Sequence, residues 1–304
     1  LERAIALFHI HDKENVCLIT PWEADYPERL KHIYRVPKLL YLHGNVDLNT
    51  AKIVSIVGTR SATNYGKKVV EKLLGELEAH PLLIVSGLAY GIDVHVHRTA
   101  LELGFPTLAV VAGGIDVIYP TAHKDIAKAM LAQGGLLSEH PLQTPPEAYR
   151  FVTRNRIIAG LADATIVIEA GQKSGALITA NYANDYNREV FAVSGDIYAA
   201  YSFGCHHLIK THRAHLLTSA ADLVEAMQWD ITAPSTPIWD RLPTLTDSER
   251  NVVKAIGKRE VPIDALSYET KLSSQQLSAM LLQLELKQIV KCLPGNKFRL
   301  VACP

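Results

Sequence analysis

Four basic residues stand near the ends of apolar runs typical of buried β-strands, and cations there could bind the phosphates of a ligand. The four are Arg60, Arg154, Arg156 and Lys173. Arg154 and Arg156 fall in the first turn of a helix that we expect to begin near Thr153. A helix N-terminus already carries about half a positive charge, so it favours anions and disfavours cations. These arginines therefore indicate an anionic ligand.

The apolar runs themselves end in glycine-bearing turns, which would let a ligand approach the backbone closely and bind its N–H groups. The turns are Gly58-Thr59-Arg60, Ser86-Gly87, Ala112-Gly113-Gly114, Glu169-Ala170-Gly171 and Ser194-Gly195. Carboxyl ends of parallel strands share one edge of a sheet, where ligands bind. We expect a shared phosphate pocket at that edge.

Phe151 is a candidate stacking platform for a nucleic-acid base, because it lies beside the arginines just before the predicted helix. Such stacking contributes about 1–3 kcal/mol per base. The structural alternative places Phe151 in the core. Each cation could likewise be solvated or paired with Glu147, Asp163 or Glu169.

Other binding motifs are absent from the sequence. Gly66-Lys67 lies too far from Gly58 for a P-loop, and neither G-x-G-x-x-G nor G-x-S-x-G is present where it would be needed. Histidines at 95, 97, 206, 207, 212 and 215 lack partners at zinc spacing. We interpret them as surface or packing residues and expect no metal and no cofactor.

The composition limits the class of protein. The 304 residues include 31 basic and 31 acidic side chains, so a polyanion site must be local rather than a product of bulk charge. Four scattered cysteines favour a reducing cytoplasm. No apolar run is long enough for a membrane span, and the start is not a signal peptide. The chain begins without Met, from which we expect an N-terminal piece to be missing.

The elements that would position these residues form two regions. Before them, residues 1–48 indicate a short helix, a strand (Val16–Thr20) and an adaptor stretch in which three prolines predict little regular structure. From about Lys52 to Ala226, strands alternate with helices of ten to fifteen residues, which predicts an α/β fold with a parallel sheet. After a proline-rich linker, the capping box Thr246–Glu249, two further helices and a hairpin around Pro294-Gly295-Asn296 predict a winged helix.

These residues in this order resemble the DprA/Smf family of DNA-processing proteins. The matching blocks are "IVGTRSATNYG" (Ile56–Gly66), "VSGLAYGID" (Val85–Asp93) with His97, "GGIDVIYP" (Gly113–Pro120), "LLSEHP" (Leu136–Pro141), "FVTRNRIIAGL" (Phe151–Leu161), "VIEAGQKSGALITA" (Val167–Ala180) and "FAVSG" (Phe191–Gly195). The blocks cover about 50–220, and "DYPERL" (Asp25–Leu30) also fits.

The resemblance implies an extended Rossmann-like domain over 49–227 and a winged-helix domain over 246–304, joined by a linker over 228–245. The adaptor segment 1–48 would be the remnant of a helical N-terminal domain. The resemblance further implies a cytoplasmic, non-enzymatic homodimer, paired through the Rossmann-like domain. Such a protein would bind and protect single-stranded DNA and help load RecA during natural transformation.

The expected DNA-binding residues combine the strand-end turns with the family's phosphate and R-N-R blocks. They are Gly58, Thr59, Arg60, Ser86, Gly87, Gly113, Gly114, Phe151, Arg154, Asn155, Arg156, Lys173, Ser174 and Gly175. Thr59 stands where the family usually has serine, and it keeps the hydroxyl.

Two other functions stay open. A phosphoribohydrolase of the lysine-decarboxylase-like type would share the fold, but no acid follows the Gly171 turn before Asp185. A duplex-reading regulator would use the helix predicted over Ser273–Gln288, which offers only Lys287 as a cation. Its apolar stripe, Leu277, Met280, Leu281 and Leu284, is more typical of a core, so we favour a protein-interaction or accessory role for the winged helix.

Overall fold

The computed structural model describes residues 16–229, 246–256, 261–287, 289–293 and 297–300. The chain forms two compact units, 1–229 and 230–304. Within the described ranges, no helix is long and apolar enough to cross a membrane. The short helix expected before residue 16 and nearly all of the expected linker lie outside the described residues.

The first unit is built on one nine-stranded sheet. Its strands are β1 (Val16–Ile19), β2 (Leu40–Gly44), β3 (Ile53–Val57), β4 (Leu83–Ser86), β5 (Thr107–Val110), β6 (Gly134–Ser138), β7 (Ala164–Val167), β8 (Glu189–Val193) and β9 (His215–Leu217). Their order is β1-β2-β6-β5-β4-β3-β7-β8-β9. The strands from β6 to β9 in this order are parallel, while β1 and β2 pair antiparallel at one edge.

Helices cover both faces of the sheet, as parallel strands require. They are α1 (Asn64–Glu76), α2 (Ile92–Glu102), α3 (Lys124–Met130), α4 (Ala148–Leu161), α5 (Gly175–Asp185), α6 (Phe203–Lys210) and α7 (Ala220–Ala226). One apolar layer contains residues of α4, α5 and α6, and a second contains residues of α1, α2 and α7. The β-branched runs of β3 and β4 lie fully buried between these layers, which confirms the predicted α/β class.

The N-terminal segment is more regular than the sequence predicted. Besides β1, it contains a 3₁₀ helix (Glu28–His32) and β2, although three prolines before β2 predicted little regular structure in this stretch. Strand β2 pairs with β6 and so extends the sheet. The Tyr26 hydroxyl is buried and donates a hydrogen bond to the Pro37 carbonyl at 2.8 Å. The three prolines therefore lie in the connection between β1 and β2, and β2 itself is stabilised by its pairing with β6.

Helix α4 begins at Ala148, and the prediction of a start near Thr153 was wrong. Glu147 is extended and directly follows Pro145 and Pro146, which explains the start, because a proline pair resists helix on its N-terminal side. Arg154 consequently stands in the second turn of the helix or beyond. The sequence argument from the helix dipole does not apply to it, since the dipole acts mainly on the first turn.

The second unit has the winged-helix arrangement. Its elements are α8 (Asp247–Ile256), β10 (Val261–Pro262), α9 (Ile263–Thr270), α10 (Ser274–Leu286), β11 (Val290–Leu293) and β12 (Lys297–Leu300). The strands form a sheet in the order β10-β12-β11, of which the sequence analysis missed β10. The predicted hairpin is confirmed by the antiparallel pairing of β11 with β12, although its turn lies outside the described residues.

Two local predictions for this unit are also confirmed. The Thr246 hydroxyl accepts from the Glu249 amide, and the Glu249 carboxylate accepts from the Thr246 amide and hydroxyl, as in a capping box. The apolar stripe of α10 packs into the core, with Leu277, Leu281 and Leu284 buried and Met280 against them.

Asp163 ties the N-terminal segment to the sheet, and we predict that its loss destabilises the first unit. Its carboxylate accepts from Arg29 Nε at 2.7 Å, from Arg29 Nη2 at 2.9 Å and from the Ile53 amide at 2.8 Å. Hydrogen bonds to charged groups contribute about 1.5–3 kcal/mol, so Asp163→Ala should lower the free energy of unfolding by about that amount in urea titrations. Glu28→Ala, which removes an exposed ion pair with Lys31, is the control. If both substitutions lowered the free energy of unfolding equally, this stabilising role of Asp163 would be contradicted.

Candidate nucleic-acid interface

A cavity of about 400 Å³ opens where the order of the parallel strands reverses, between β3 and β7. Strands β4, β5 and β6 follow β3 in the chain and lie on one side of this point, whereas β8 and β9 follow β7 and lie on the other side. Such a switch point leaves a crevice at the carboxyl ends of the strands, because the two following connections diverge. The cavity is lined by the loops after β3 and β7 and by residues of α4 and α5. The fold therefore creates the pocket that the glycine turns predicted.

Arg60 and Lys173 are the exposed cations of this cavity. Lys173 has no ion-pair or hydrogen-bond partner among the described residues. The guanidinium of Arg60 lies 5.6 Å from the ring centroid of Phe151, within cation–π range, and forms no ion pair within the described part of the chain. Both charges are therefore available to an anionic ligand.

The loop after β3 is held in place by Glu169, which follows β7. The buried Glu169 carboxylate accepts from the Thr63 amide at 3.0 Å and the Thr63 hydroxyl at 2.5 Å. Its backbone carbonyl accepts from the Thr59 amide at 2.8 Å. This places Thr59 and Arg60 on a fixed backbone. Glu169 therefore stabilises the loop after β3, and it forms no ion pair with an arginine among the described residues.

The turn after β7 is fixed in the same way. Ser174 is the N-cap of α5, and its side chain accepts from the Ala176 amide at 3.3 Å. The Asn155 side-chain amide donates to the Gly175 carbonyl at 3.3 Å, which links α4 to this turn. The first turn of α5 lines the cavity and carries no acidic residue, so no carboxylate of this turn competes with an anionic ligand.

Arg154 is a buried cation behind the cavity. It is only 5% exposed, and its guanidinium Nη1 donates to the Gly87 carbonyl at 2.7 Å and to the Val110 carbonyl. These carbonyls lie at the ends of β4 and β5, so Arg154 fastens α4 to the edge of the sheet. Gly87 must lack a side chain here, since a Cβ would lie 2.7 Å from Arg154 Nη2.

Asp93, on α2, accompanies Arg154 and was not predicted as a site residue. Burial raises the pKa of the Asp93 carboxyl above its ordinary value, an effect that the nearby Arg154 charge opposes. Burial lowers the pKa of Arg154 to about 10, so the guanidinium stays charged at neutral pH. Both groups are buried among the residues that line the cavity, and they interact electrostatically. Only the three-dimensional approach of α2 and α4 could reveal this pair.

Arg156 and Arg150 lie outside the cavity. Arg156 forms an ion pair with Glu139, and Arg150 pairs with Glu147 at 3.7 Å and donates to the Pro145 carbonyl at 2.5 Å. Two residues along a helix rotate a side chain by roughly 200°, so Arg154 and Arg156 cannot share a face. The expectation that both arginines form one wall of the pocket is corrected accordingly.

The other three predicted turns, Ser86-Gly87, Ala112-Gly113-Gly114 and Ser194-Gly195, are not part of the cavity lining. The Ser86 hydroxyl donates to the Ile56 carbonyl at 2.6 Å and is buried. Gly113 and Gly114 pack against the backbone near Thr144 and Pro141. The end of β5 is two strands away from β3, which explains the separation. The structure brings together Gly58, Thr59, Arg60, Phe151, Arg154, Asn155, Lys173, Ser174 and Gly175.

Aromatic rings line the mouth of the cavity. Phe151 is half-buried, and the Tyr119 ring, itself 52% exposed, packs edge-on to it with 5.6 Å between centroids. Tyr201, from the loop after β8, lines the cavity as well. Neither tyrosine was predicted as a site residue from the sequence, although each lies in a loop after a predicted strand. A base entering the site would meet aromatic faces and edges.

The histidines noted in the sequence have different environments, since His95 and His215 contact the carboxylates of Glu71 and Glu189 whereas His97 packs in the core. His97 is fully buried on α2 and is hydrogen-bonded through Nδ1 to Thr107 Oγ1 at 2.7 Å. Burial lowers the pKa of its imidazole to about 3, so the ring is neutral. Within the described residues, no group of three potential ligands could hold a metal ion.

Comparison with known families and proteins agrees with this geometry. The model of a family described as DNA recombination-mediator protein A matches residues 17–228, and that of the DprA winged helix domain matches residues 233–296. Protein Smf of Synechocystis is 33% identical over 327 residues, covering 95% of this chain and 81% of the relative. The DNA processing protein DprA of Streptococcus pneumoniae is 43% identical over 204 residues, covering 67% of this chain and 72% of the relative.

Solved structures show the same fold. The S. pneumoniae DprA structure has a TM-score of 0.67 at 41% identity, covering 72% of this chain and 77% of that chain. DNA processing protein A of Helicobacter pylori, whose structure concerns its single-stranded DNA binding mode, has a TM-score of 0.64 at 27% identity over 71% of this chain and 96% of that chain. Because the first family model spans most of the chain and the second matches the winged-helix unit, this chain belongs to the DprA/Smf family of DNA-processing proteins.

Proposed function

We propose that this protein binds single-stranded DNA in the cavity between β3 and β7, with Arg60 and Lys173 on the phosphates and Phe151 against a base. The observation that carries the proposal is the pair of exposed, unneutralised cations beside a half-buried aromatic ring. Sequence-tolerant binding to single strands combines these two elements, since every nucleotide offers a phosphate and a base face. The single-stranded DNA binding mode described for the H. pylori relative supports the ligand class.

The charge of the cavity supports a polyanionic ligand. Its lining residues include three cations, Arg60, Arg154 and Lys173, against one carboxylate, Asp93. The whole chain has a formal net charge of zero, so this excess is local. Such a site would attract phosphate at short range without making the whole surface basic.

A nucleotide-hydrolysing enzyme is the second candidate for the same cavity. Asp93 is the carboxylate among its lining residues, and a raised pKa suits a general acid. However, Asp93 is only 7% exposed and faces the Arg154 guanidinium, while Glu169 is held by Thr63. We therefore favour a binding role without catalysis. Release of free base from nucleoside monophosphates, abolished by Asp93→Asn, would favour the enzyme instead.

The winged helix gives little support to duplex reading. Helix α10 contains no lysine or arginine, and Lys287, directly after it, donates to Glu249 Oε1 at 2.6 Å. Among the described residues of this unit, the other exposed cations are spread over several elements, at Lys254, Lys271, Lys291, Lys297 and Arg299. A helix that reads the major groove normally carries the side chains that contact phosphates and bases. We retain the interpretation of this unit as a protein-interaction or accessory module.

The wider role rests on family membership. We propose that the protein protects incoming strands and helps to load RecA during natural transformation, and that it acts as a homodimer through the Rossmann-like domain. A cytoplasmic location agrees with its cysteines, since Cys17, Cys205 and Cys292 are free thiols.

Removal of either exposed cation should weaken single-strand binding. We predict that Arg60→Ala and Lys173→Ala each lower the affinity for fluorescein-labelled oligo(dT), measured by anisotropy. Each change should make the slope of log K against log salt concentration less negative by about 0.7 for each phosphate that is no longer neutralised. Arg98→Ala is the control, because Arg98 is exposed on α2 and lies outside the cavity. Wild-type affinity in both cavity variants would refute the proposed site.

The buried and ion-paired arginines should behave differently from the exposed ones. We predict that Arg154→Ala lowers the free energy of unfolding by about 1–3 kcal/mol for each buried acceptor left unpaired, because its guanidinium donates to the Gly87 and Val110 carbonyls. Arg156→Ala should leave oligo(dT) affinity unchanged, since its guanidinium pairs with Glu139 outside the cavity. Urea unfolding and anisotropy on the same samples separate the two effects. A loss of affinity in Arg156→Ala at unchanged stability would restore Arg156 to the site.

Phe151 should contribute through stacking and not through charge. Phe151→Ala should weaken oligo(dT) binding by about 1–3 kcal/mol with no change in the salt slope, because the cations that neutralise the phosphates stay in place. Phe151→Tyr keeps a ring and should retain most of the affinity. An oligonucleotide of abasic sites gives the complementary measurement. If Phe151→Ala weakens binding to the abasic strand equally, Phe151 shapes the cavity and does not stack on a base.

A further inference from the structure

A second cavity, of about 380 Å³, lies on the other side of the turn that follows β7. It shares Lys173, Ser174, Gly175 and Ile178 with the cavity between β3 and β7. Its remaining lining comes from α5, α6 and the loop before β9. The two cavities therefore meet at the Lys173–Gly175 turn, and the Lys173 ammonium can reach either side. A ligand that fills one cavity and is long enough can continue into the other.

The wall of the second cavity away from this turn is basic. It carries Arg213, in the loop before β9, and His207, which is exposed on α6. None of its ten lining residues, all within the described part of the chain, is an aspartate or glutamate. The cavity thus has two permanent cations, Lys173 and Arg213, and no carboxylate to offset them. This charge balance favours an anionic ligand.

Arg213 is held in place by its backbone and not by its charge. Its amide donates to the Leu208 carbonyl at 2.8 Å, and its carbonyl accepts from the Asn184 side-chain amide at 3.0 Å. Its guanidinium has no hydrogen-bond or ion-pair partner among the described residues, although the residue is half-buried. A guanidinium that no protein group neutralises suits a phosphate, which it can bind through two parallel hydrogen bonds.

We infer that the second cavity is a further phosphate subsite for the same single strand, in which Arg213 is the principal contact and His207 an additional donor. The inference rests on the proposed function of the first cavity. The strand passes over the Lys173–Gly175 turn, so that consecutive phosphates lie on both sides of it. A mononucleotide would fill one cavity only, whereas a polymer connects the two. The subsite therefore distinguishes a strand from a free nucleotide.

The test is a series of fluorescein-labelled oligo(dT) strands from about 3 to about 20 nucleotides, with affinity measured by anisotropy at several salt concentrations. For the wild type, affinity should rise once the strand is long enough to reach Arg213. Arg213→Ala should abolish this rise, weakening the longer strands roughly tenfold, which corresponds to the removal of one charge-assisted hydrogen bond. Its salt slope on long strands should be less negative by about 0.7. Affinity for the shortest strands that bind should not change.

Two further variants make the result specific. Arg213→Lys keeps the charge but not the two parallel hydrogen bonds, so it should restore the salt slope and only part of the affinity for long strands. Lys210→Ala removes an exposed charge from the last turn of α6, outside the second cavity, and should have no effect. Equal losses from Lys210→Ala and Arg213→Ala would reduce the effect to general surface charge and overturn the subsite. So would a loss in Arg213→Ala that is the same at every strand length.

The outcome also separates this inference from the proposed function. If Arg60→Ala weakens binding at all lengths while Arg213→Ala matches the wild type throughout, the first cavity binds DNA and the subsite is wrong. If Arg60→Ala has no effect while Arg213→Ala abolishes the length dependence, the second cavity is a DNA site and the first is not. A wild-type protein that fails to bind any strand would overturn both.

Discussion

The buried guanidinium of Arg154 is the interaction on which the cavity depends. It reaches from α4 to the carbonyls of Gly87 and Val110, where β4 and β5 end, and it faces Asp93 on α2. A charge this deep is tolerated only because carbonyl oxygens and a carboxyl surround it. The contact fixes α4, and α4 in turn positions Phe151 and Asn155. Asn155 then holds the Gly175 turn, so one buried cation orders the wall and the phosphate loop together.

The cations at the proposed site fall into two groups, those that pair with protein groups and those that are exposed to a ligand. Arg154 and Arg156 are neutralised by protein groups, whereas Arg60 and Lys173 stand exposed on loops that hydrogen bonds hold rigid. A rigid loop places its cation without a large loss of side-chain and backbone freedom on binding. This arrangement gives a chain with no net charge a local excess of positive charge at the proposed DNA site. It also explains why a count of basic residues says little about function here.

The sequence was sufficient for the fold class and for the edge of the sheet where the cavity lies. Alternating apolar strands and helices predicted the parallel sheet, and the positions of Arg60 and Lys173 after β3 and β7 placed them at the cavity that the structure shows. The start of α4 was not predictable from the arginines, because the proline pair before Ala148 sets it. The environments of Arg156 and Asp93 could not be predicted from the sequence either. They depend on which helix faces meet across the sheet, and local pattern does not encode that. Strand β2 was missed because its stability comes from pairing with β6.

The central claim is that a single strand lies across the carboxyl edge of the sheet between β3 and β7. The most direct measurement is photocrosslinking of oligonucleotides that contain 4-thiothymidine, followed by mass spectrometry of the crosslinked peptides. We expect crosslinks to Phe151 or Tyr119 and to the 171–175 turn, competed by unlabelled oligo(dT). Crosslinks confined to the winged-helix unit, with none on these loops, would contradict the account.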